Sequence, residues 1–298
     1  MNYVLTGGAG NITRPLAEKL LAAGHRVTVI GRNEAHLKNL QDRGAIPAIG
    51  SVDDLAFLKK TFAGADAVYT MVPPRYDLTR DWKIYIGQLG KNYAEAIRQN
   101  NIRYAVNLSS IGAHLPDGCG PVSGLYKVEQ ALNELANVHI RHLRPSYFYS
   151  NFLVSIPMIK NMQIIGNNFG GDGFKLALTD SGDIADVAAE ELLNLKFTGH
   201  SVRYIASDVR TTTEIAQKIG EAVNQPGLRW VLFSDEEALA GMIQAGFPEE
   251  IARNFTEMGH AMQTGIIQDD FWAHYPPVLG KIKLEDFAKQ FAAVYPTS

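Results

Sequence analysis

The fold is decided by the first regular stretch of the chain, Tyr3-Val4-Leu5-Thr6-Gly7-Gly8-Ala9-Gly10-Asn11-Ile12-Thr13-Arg14-Pro15. Its apolar residues 3–5 suit a strand that is buried on both faces, and leucines return at helical spacing at positions 16, 20 and 21. The glycines in between permit positive φ angles and a close approach of the backbone. A strand, a tight turn and a helix are therefore predicted, in that order.

The helix that follows this turn is predicted to bind an anion at its N-terminus. Unpaired amides and the positive end of the helix dipole favour a pyrophosphate there without any side-chain cation. The spacing Gly7-x-x-Gly10-x-x-Thr13 matches the dinucleotide fingerprint in part, because Thr13 stands where a third glycine is usual. We expect Gly7, Gly10, Asn11 and Ile12 to surround the pyrophosphate; the alternative is a turn with no chemical role.

The second predicted strand, residues 26–30, ends where a Rossmann unit inspects the adenosine ribose. An acidic side chain at this place would accept hydrogen bonds from both ribose hydroxyls and would select NAD. The chain has Arg32 and Asn33 instead, and a guanidinium suits a 2′-phosphate. The predicted cofactor is therefore NADP(H), with Arg32 and Asn33 at its adenosine end; the alternative for Arg32 is a solvent-exposed arginine after a strand.

Strands and helices alternate strictly over the first half of the chain. Further strands are predicted at residues 45–49, 66–72, 104–108 and 138–143, with helices between them. This alternation predicts an α/β fold with a doubly wound parallel (Rossmann) sheet and right-handed crossovers. We expect an NAD(P)-binding Rossmann domain over residues 1–150, to which residues 180–208 return, and a smaller C-terminal α/β lobe over residues 151–298 that contacts the substrate or a partner.

Several helix starts carry capping signals. Ser51 with Asp54 fits the capping-box spacing, while Asp53 between them could lie near the adenine or could simply favour the helix dipole. Asp183 is predicted to be the N-cap of the helix that begins with the next residues. Thr211 opens a later helix with a second capping box.

The composition excludes several kinds of partner and site. The 298 residues carry a net charge of −3, so no basic field attracts nucleic acid or an anionic membrane surface, and no run of about 18 apolar residues suggests a membrane span. The single Cys119 rules out an internal disulfide and fits a reducing compartment, so a cytoplasmic protein is expected. His139 and His142 lie on opposite faces of a predicted strand, and no metal is predicted.

Polar and aromatic side chains gather outside the carboxyl ends of the predicted strands, where ligands bind in open α/β sheets. Ser109 follows the strand at 104–108, and Tyr147 belongs to the segment after the strand at 138–143. We expect Tyr147 to form an aromatic wall beside the cofactor together with Phe148, Tyr149 and Phe152. Each of these aromatic residues could equally be an ordinary core residue.

Three segments taken together resemble the NmrA-like family of atypical short-chain dehydrogenases: Gly7-Gly8-Ala9-Gly10-Asn11-Ile12-Thr13-Arg14-Pro15, Leu143-Arg144-Pro145-Ser146-Tyr147-Phe148 and Asp183-Ile184-Ala185-Asp186-Val187-Ala188. The resemblance covers most of the chain to about residue 220. It implies a Rossmann core, a smaller C-terminal substrate lobe and binding of NADP(H). Some members of the family resemble quinone or carbonyl reductases, and others are sensors that report NADPH status to a protein partner without turnover.

The chain departs from the dehydrogenase pattern at the catalytic pair. The parent superfamily uses Tyr-x-x-x-Lys, in which a phenol whose pKa is lowered by the ammonium protonates the developing alkoxide. Counting back from Lys127 places Ser123 where the tyrosine should be, and Tyr126 would point elsewhere on the helix. The resemblance assigns Lys127 to the nicotinamide ribose; the alternative is one more solvated lysine.

These residues predict an NADPH-dependent oxidoreductase that transfers hydride to a quinone-like or activated carbonyl acceptor. Such an acceptor is intrinsically reducible, so that its protonation can come late from water while the cofactor carries the hard chemistry. The catalytic candidates are Lys127, Ser109 and Tyr147. The alternative is a non-catalytic NADP(H)-binding redox sensor that regulates a protein partner, which the missing tyrosine favours.

Overall fold

A computed structural model gives the structure of the chain and describes residues 1–296. Its twelve strands within that range are β1 (Asn2–Leu5), β2 (Arg26–Gly31), β3 (Ile46–Ile49), β4 (Ala67–Thr70), β5 (Tyr104–Leu108), β6 (His139–Pro145), β7 (Tyr147–Phe148), β8 (Ile164–Asn167), β9 (Lys175–Thr179), β10 (His200–Ile205), β11 (Asp208–Thr211) and β12 (Arg229–Leu232). Seven of them form one sheet in the order β10-β6-β5-β4-β1-β2-β3, and all neighbouring pairs are parallel. The predicted doubly wound parallel sheet is confirmed.

Helices cover both faces of this sheet. The α-helices of the described residues are α1 (Thr13–Ala22), α2 (Glu34–Asp42), α3 (Leu55–Thr61), α4 (Trp82–Gln99), α5 (Pro121–Asn133), α6 (Ile156–Met162), α7 (Ser181–Asn194), α8 (Thr212–Ala222), α9 (Asp235–Gln244), α10 (Glu249–Gln263), α11 (Asp269–Ala273) and α12 (Leu284–Val294). Tyr3 and Leu5 belong to the core under α1, α2 and α7, whereas Val4 belongs to the core under α3, α4 and α5. The apolar run at the start of the chain is thus buried on both faces, as its composition predicts.

The remaining strands and helices build a smaller lobe. Strand β9 pairs in parallel with β7 and antiparallel with β11, and β8 pairs in parallel with β12. The core of this lobe contains Tyr149, whose ring stacks on Phe287 at 5.0 Å between centroids, and Phe152. Strand β10 belongs to the large sheet, and α7 packs against α1, so the chain passes from the large sheet to the smaller lobe and back.

Two of the predicted helix caps are wrong. The N-cap of α3 is Asp54, which accepts a hydrogen bond from the amide of Phe57, and Ser51 lies three residues before it. The N-cap of α7 is Asp180, whose carboxylate accepts from the amide of Gly182. Both helices offered two acidic or hydroxyl residues near the start, and sequence spacing alone did not distinguish them.

One predicted helix cap is confirmed, and a glycine follows the end of α1. Thr211 forms a capping box with Glu214 at the start of α8. Gly24 adopts a φ of +80° directly after the C-cap of α1. Among residues 1–296, no helix is long and apolar enough to cross a membrane.

Candidate cofactor and substrate cleft

The glycine-rich turn connects β1 to α1, and its backbone packs closely against the start of the helix. Gly7 has a φ of +100°, and a Cβ atom added there would lie 2.4 Å from Oγ1 of Thr13. Thr13 is buried, and its hydroxyl donates to the carbonyl of Thr6 at 2.9 Å. The residue at the third fingerprint position therefore ties the start of the helix to the end of the strand, and it requires a glycine opposite it.

The N-terminus of α1 presents free amides at this turn. No side chain caps the helix, the amide of Gly10 donates to the carbonyl of Gly7 at 3.2 Å, and that of Arg14 donates to Gly10 at 2.9 Å. Within the described residues, no acceptor is bonded to the amides of Asn11, Ile12 and Thr13. Amides in this arrangement suit the oxygens of a pyrophosphate, so the local structure fits the predicted ligand.

A cleft of about 600 Å³ leads from this turn past the ends of β4 and β5 into the smaller lobe. The residues that line it include members of the connections of the large sheet, of β7 and the turn after it, and of α10: Gly7, Gly10, Asn11, Ile12, Met71, Ser109, Tyr147, Phe148, Asn151, Phe255 and Met258. Among the described residues, none that lines the cleft has a charged side chain. The cleft therefore combines polar backbone at one end with an uncharged, largely apolar chamber at the other.

Ser109 lies in this cleft and is connected to a buried ion pair below it. Its hydroxyl donates to Oε1 of Glu129 at 2.5 Å. Glu129 in turn accepts two hydrogen bonds from Arg144, at 3.0 Å from Nε and at 2.6 Å from Nη2. Because the single proton of Ser109 is directed to Glu129, its oxygen is left to accept hydrogen bonds from the cleft. Sequence reasoning missed Glu129, which lies twenty residues from Ser109 and has no motif of its own.

The aromatic segment after β6 divides between the cleft and the core. Tyr147 and Phe148 line the cleft, whereas Tyr149 and Phe152 are buried in the core of the smaller lobe, so the predicted aromatic wall is half as large as expected. Burial raises the pKa of the Tyr147 phenol well above its ordinary value, and a hydrogen bond with Asn151 offsets part of this rise. Tyr147 therefore remains protonated and is a poor proton donor.

Lys127 is not brought to the cleft. The residues of α5 that line the cleft are Pro121, Val122 and Leu125, whereas Lys127 is exposed and its side chain lies against Gly87 of α4. A Tyr-x-x-x-Lys pair facing the cleft would occupy positions 121 and 125, where the chain has proline and leucine. Lys127 lies two residues after Leu125, which is about 200° around the helix, and therefore on another face of α5.

The candidates for the adenosine end lie in the loops after β2 and β3. Arg32 is exposed directly after β2. The side chain of Asn33 caps α2 by accepting from the amide of Ala35 at 2.9 Å, so its carbonyl oxygen already has a structural role. Asp53 accepts a hydrogen bond from the hydroxyl of Ser51 at 2.8 Å. This arrangement leaves Arg32 as the side chain of the predicted pair that is available to a ligand.

Several apolar residues of the cleft escaped sequence reasoning. Trp82 begins α4 and Phe255 lies in α10, yet their rings meet edge to face at 5.4 Å between centroids. Tyr76, from the loop after β4, contacts both rings. Residues so far apart in sequence carry no shared local signal, and only tertiary packing brings them together.

A larger groove of about 880 Å³ lies elsewhere, beside the edge strand β10 and α7. Its lining is rich in charged residues, among them Asp186, Glu190, Arg203 and Lys281, and it includes no residue of the glycine-rich turn. In the described part of the chain, no group of three or more His, Cys, Asp or Glu side chains is arranged to hold a metal ion. The cleft at the turn therefore brings six of the predicted residues together, Gly7, Gly10, Asn11, Ile12, Ser109 and Tyr147, and its lining does not include Arg32, Asn33 or Lys127.

Comparison with known proteins connects the first half of the chain with NAD(P)H binding. Residues 7–148 match the family model described as NAD(P)H-binding. The NAD(P)H azoreductase of Xenophilus azovorans is 22% identical over 255 residues, which cover 86% of this chain and 85% of the relative. This similarity extends through both the Rossmann part and most of the smaller lobe.

Solved structures share the fold over nearly the whole chain. The NADPH-dependent quinone oxidoreductase QOR2 of Escherichia coli has a TM-score of 0.78 at 17% identity, and the match covers 97% of this chain and 98% of that one. The Citrobacter sp. triphenylmethane reductase complexed with NADP(H) has a TM-score of 0.79 at 20% identity, over 98% and 100% of the two chains. Residues 7–148 thus match the NAD(P)H-binding family model, and the fold of the whole chain is similar to that of these two reductases.

Proposed function

We propose that the protein binds NADPH and transfers hydride to a neutral, planar acceptor of the quinone type. The observation that carries this proposal is the continuous cleft from the glycine-rich turn to a chamber without charged side chains. A charged substrate would lose its hydration there without gaining a counterion, whereas a flat neutral ring system would bury apolar surface against aromatic and methionine side chains. The names of the similar proteins, an azoreductase and a quinone oxidoreductase, support an acceptor of this class.

The residues present fit the cofactor. The amides of Asn11, Ile12 and Thr13 would hold the pyrophosphate, and the guanidinium of Arg32 would contact the 2′-phosphate. When bound, NADPH supplies the hydride. The chain itself would position the acceptor against the cofactor.

The side chains of the cleft favour an acceptor that needs little acid catalysis. Ser109 directs its proton to Glu129, and the raised pKa of Tyr147 keeps that phenol from giving up its own. Protonation of the reduced acceptor is therefore left to water, which suffices for a quinone and not for an ordinary ketone. Tyr147 and Phe148 contribute apolar faces, and Ser109 contributes a hydrogen-bond acceptor.

The test compares a neutral and a charged acceptor that share one ring system. We expect NADPH oxidation, followed by absorbance, with 1,4-naphthoquinone and at least about tenfold lower kcat/KM with its 2-sulfonate. Met258→Arg, which places a cation in the cleft, should narrow or reverse this ratio. Val278→Arg, at a residue that is 81% exposed and outside the cleft, is the matched control and should leave the ratio unchanged. Equal activity with both acceptors would contradict the proposal.

A second candidate is an NADP(H) sensor without turnover. It is favoured by the absence of a tyrosine and a lysine from the cleft-facing positions 121 and 125 of α5. Binding of NADPH in a calorimetric titration, with no acceptor giving turnover above the background rate, would establish this alternative.

A further inference from the structure

A charged cluster in the loops after β2, β3 and β4, outside the lining of the cleft, contains more than the arginine expected from the sequence. Arg75 lies in the loop after β4, and its Nε and Nη2 atoms donate to the two carboxylate oxygens of Asp77 at 2.8 and 3.2 Å. Its Nη1 atom lies 4.0 Å from the carboxylate of Asp53, in the loop after β3. We propose that Arg75 is a second ligand of the cofactor's 2′-phosphate and that the carboxylate of Asp77 competes with this phosphate for it.

The topology of the sheet places these groups together. Strands β4, β1, β2 and β3 are consecutive in the sheet and parallel, so the loops after them meet at the same edge as the glycine-rich turn. Arg32 follows β2, Asp53 follows β3, and Arg75 follows β4. Asn92 of α4 anchors the loop after β3 by donating to the carbonyls of Val52 and Asp53 at 3.3 and 3.1 Å. The cluster therefore lies where the adenosine half of the cofactor belongs under the proposed function.

The geometry of the Arg75–Asp77 pair is that of a phosphate contact. A guanidinium that donates two parallel hydrogen bonds to the oxygens of a carboxylate can donate to two phosphate oxygens in the same way. The side chain of Asp77 is 71% exposed and that of Arg75 is 27% exposed, so solvent reaches the pair mainly at the aspartate. An ion pair of this exposure contributes little to folding, and its carboxylate can be exchanged for another anion.

Electrostatics connect Asp77 to the predicted selectivity residue as well. The hydrogen bond from Arg75 lowers the pKa of the Asp77 carboxyl below its ordinary value, and the charge of Arg32 adds to this effect. The carboxylate thus lies in the field of two arginines, which is the environment that a 2′-phosphate requires. A phosphate carries more charge than a carboxylate and gains more from that field.

The experiment measures binding rather than turnover. Calorimetric titrations use 2′,5′-ADP and 5′-ADP, which differ in the 2′-phosphate, alongside NADPH and NADH. Arg75→Gln should weaken the binding of 2′,5′-ADP and NADPH by about tenfold or more and should leave the affinities for 5′-ADP and NADH within about twofold. Asp77→Asn should strengthen the binding of 2′,5′-ADP and NADPH by about threefold or more and should not change the affinities for the other two ligands.

A matched control is available in the same loop. The guanidinium groups of Arg75 and Arg80 both lie over the ring of Tyr85, at 5.8 and 4.8 Å from its centroid. Among the described residues, Arg80 forms no ion pair with a carboxylate, unlike Arg75. Arg80→Gln should therefore preserve the preference for the 2′-phosphate. In Arg75→Gln, binding of the 2′-phosphate could weaken because its contact with Arg75 is lost or because the unpaired Asp77 repels it. The double variant Arg75→Gln/Asp77→Asn removes the repulsion, so weaker binding that remains in it is due to the lost contact.

The outcomes also separate this inference from the proposed function on which it rests. If Arg32→Asp abolishes the preference for 2′,5′-ADP while Arg75→Gln preserves it, NADPH selection stands and the role of Arg75 is overturned. Equal weakening of all four ligands by Arg75→Gln would show that Arg75 only supports the loop through Tyr85 and would also overturn it. A wild-type protein without preference for the 2′-phosphate would remove both proposals.

Discussion

Thr13 occupies the position of the third fingerprint glycine and packs directly against Gly7. Its hydroxyl bonds to the carbonyl of Thr6, so a hydrogen bond replaces the close backbone contact that a glycine would allow. Gly7 therefore cannot be replaced by a residue with a side chain. Its positive φ disfavours such a residue, and Thr13 leaves no space for a Cβ atom.

At the scale of single residues, Gly7→Ala is expected to destabilise the fold and to abolish cofactor binding. The left-handed backbone and the contact with Thr13 should together cost roughly 2 kcal/mol or more in the free energy of unfolding. Gly24→Ala is the control: it has a φ of +80° but no neighbour within 4 Å, and it should cost about 1 kcal/mol and preserve binding. Urea unfolding and NADPH titration measure both effects. Full NADPH affinity in Gly7→Ala would disprove the role of the turn.

Among the secondary-structure elements, α7 connects the large sheet to the end of the chain through Asp183. This buried carboxylate accepts from the hydroxyl of Ser207 at 2.6 Å and from the amides of Lys281 and Ile282 at 3.0 and 3.2 Å. Gly280 lies so close to Asp183 that a Cβ atom added to this glycine would be 2.2 Å from Oδ2 of the aspartate. Asp183 is therefore the anchor of the segment that leads into α12, and not the cap of its own helix.

Asp183→Ala should lower the free energy of unfolding by about 2–4 kcal/mol, because it leaves three donors without their acceptor. Asp186→Ala is the matched control on the same helix. Asp186 forms ion pairs with Lys19 and Lys281 at 2.8 and 3.0 Å, is partly exposed, and should contribute less than about 1 kcal/mol. The comparison is made by urea unfolding. Equal losses in the two variants would show that the buried contacts of Asp183 are not important for stability.

For the whole molecule, the large sheet contains a buried polar row that crosses three strands. The hydroxyl of Thr70 donates to Asn107, whose amide lies 3.1 Å from Nδ1 of His142. Nε2 of the same ring lies 3.0 Å from the side-chain oxygen of Asn133. A neutral ring with its hydrogen on Nε2 satisfies both neighbours, whereas a second proton on Nδ1 would meet the amide donor of Asn107.

The stability of the whole protein should therefore fall in mild acid. Burial lowers the pKa of His142 to about 4, below the ordinary histidine value near 6.5, so the unfolded chain binds a proton that the folded chain excludes. The contribution is complete above about pH 6.5 and is lost as the pH falls toward 4, by up to about 3 kcal/mol.

Urea unfolding at about pH 7.5 and about pH 4.5 should show a smaller pH effect for His142→Gln than for the wild-type protein. His36→Gln, at an exposed histidine of α2, is the control and should keep the wild-type difference. An unchanged pH effect in His142→Gln would assign the acid sensitivity to other groups.

The parts of the structure that depend on neighbours in sequence could be predicted. The alternating strands and helices, the glycine-rich turn and the capping box of Thr211 follow from spacing and local propensity, because each involves residues within one or two turns of chain. The sequence by itself therefore determined the fold class and the glycine-rich turn at which the pyrophosphate is proposed to bind.

Only the tertiary structure decided which face of each element meets the cleft. The register of α5 turns Lys127 outward, packing against Phe287 places Tyr149 in the core, and the return of residues 280–283 buries Asp183. Glu129 under Ser109 and Trp82 against Phe255 depend equally on contacts between distant segments. The physical reason is that a helix or strand pattern specifies which residues share a face, whereas the partner of that face is selected by long-range packing of the whole chain.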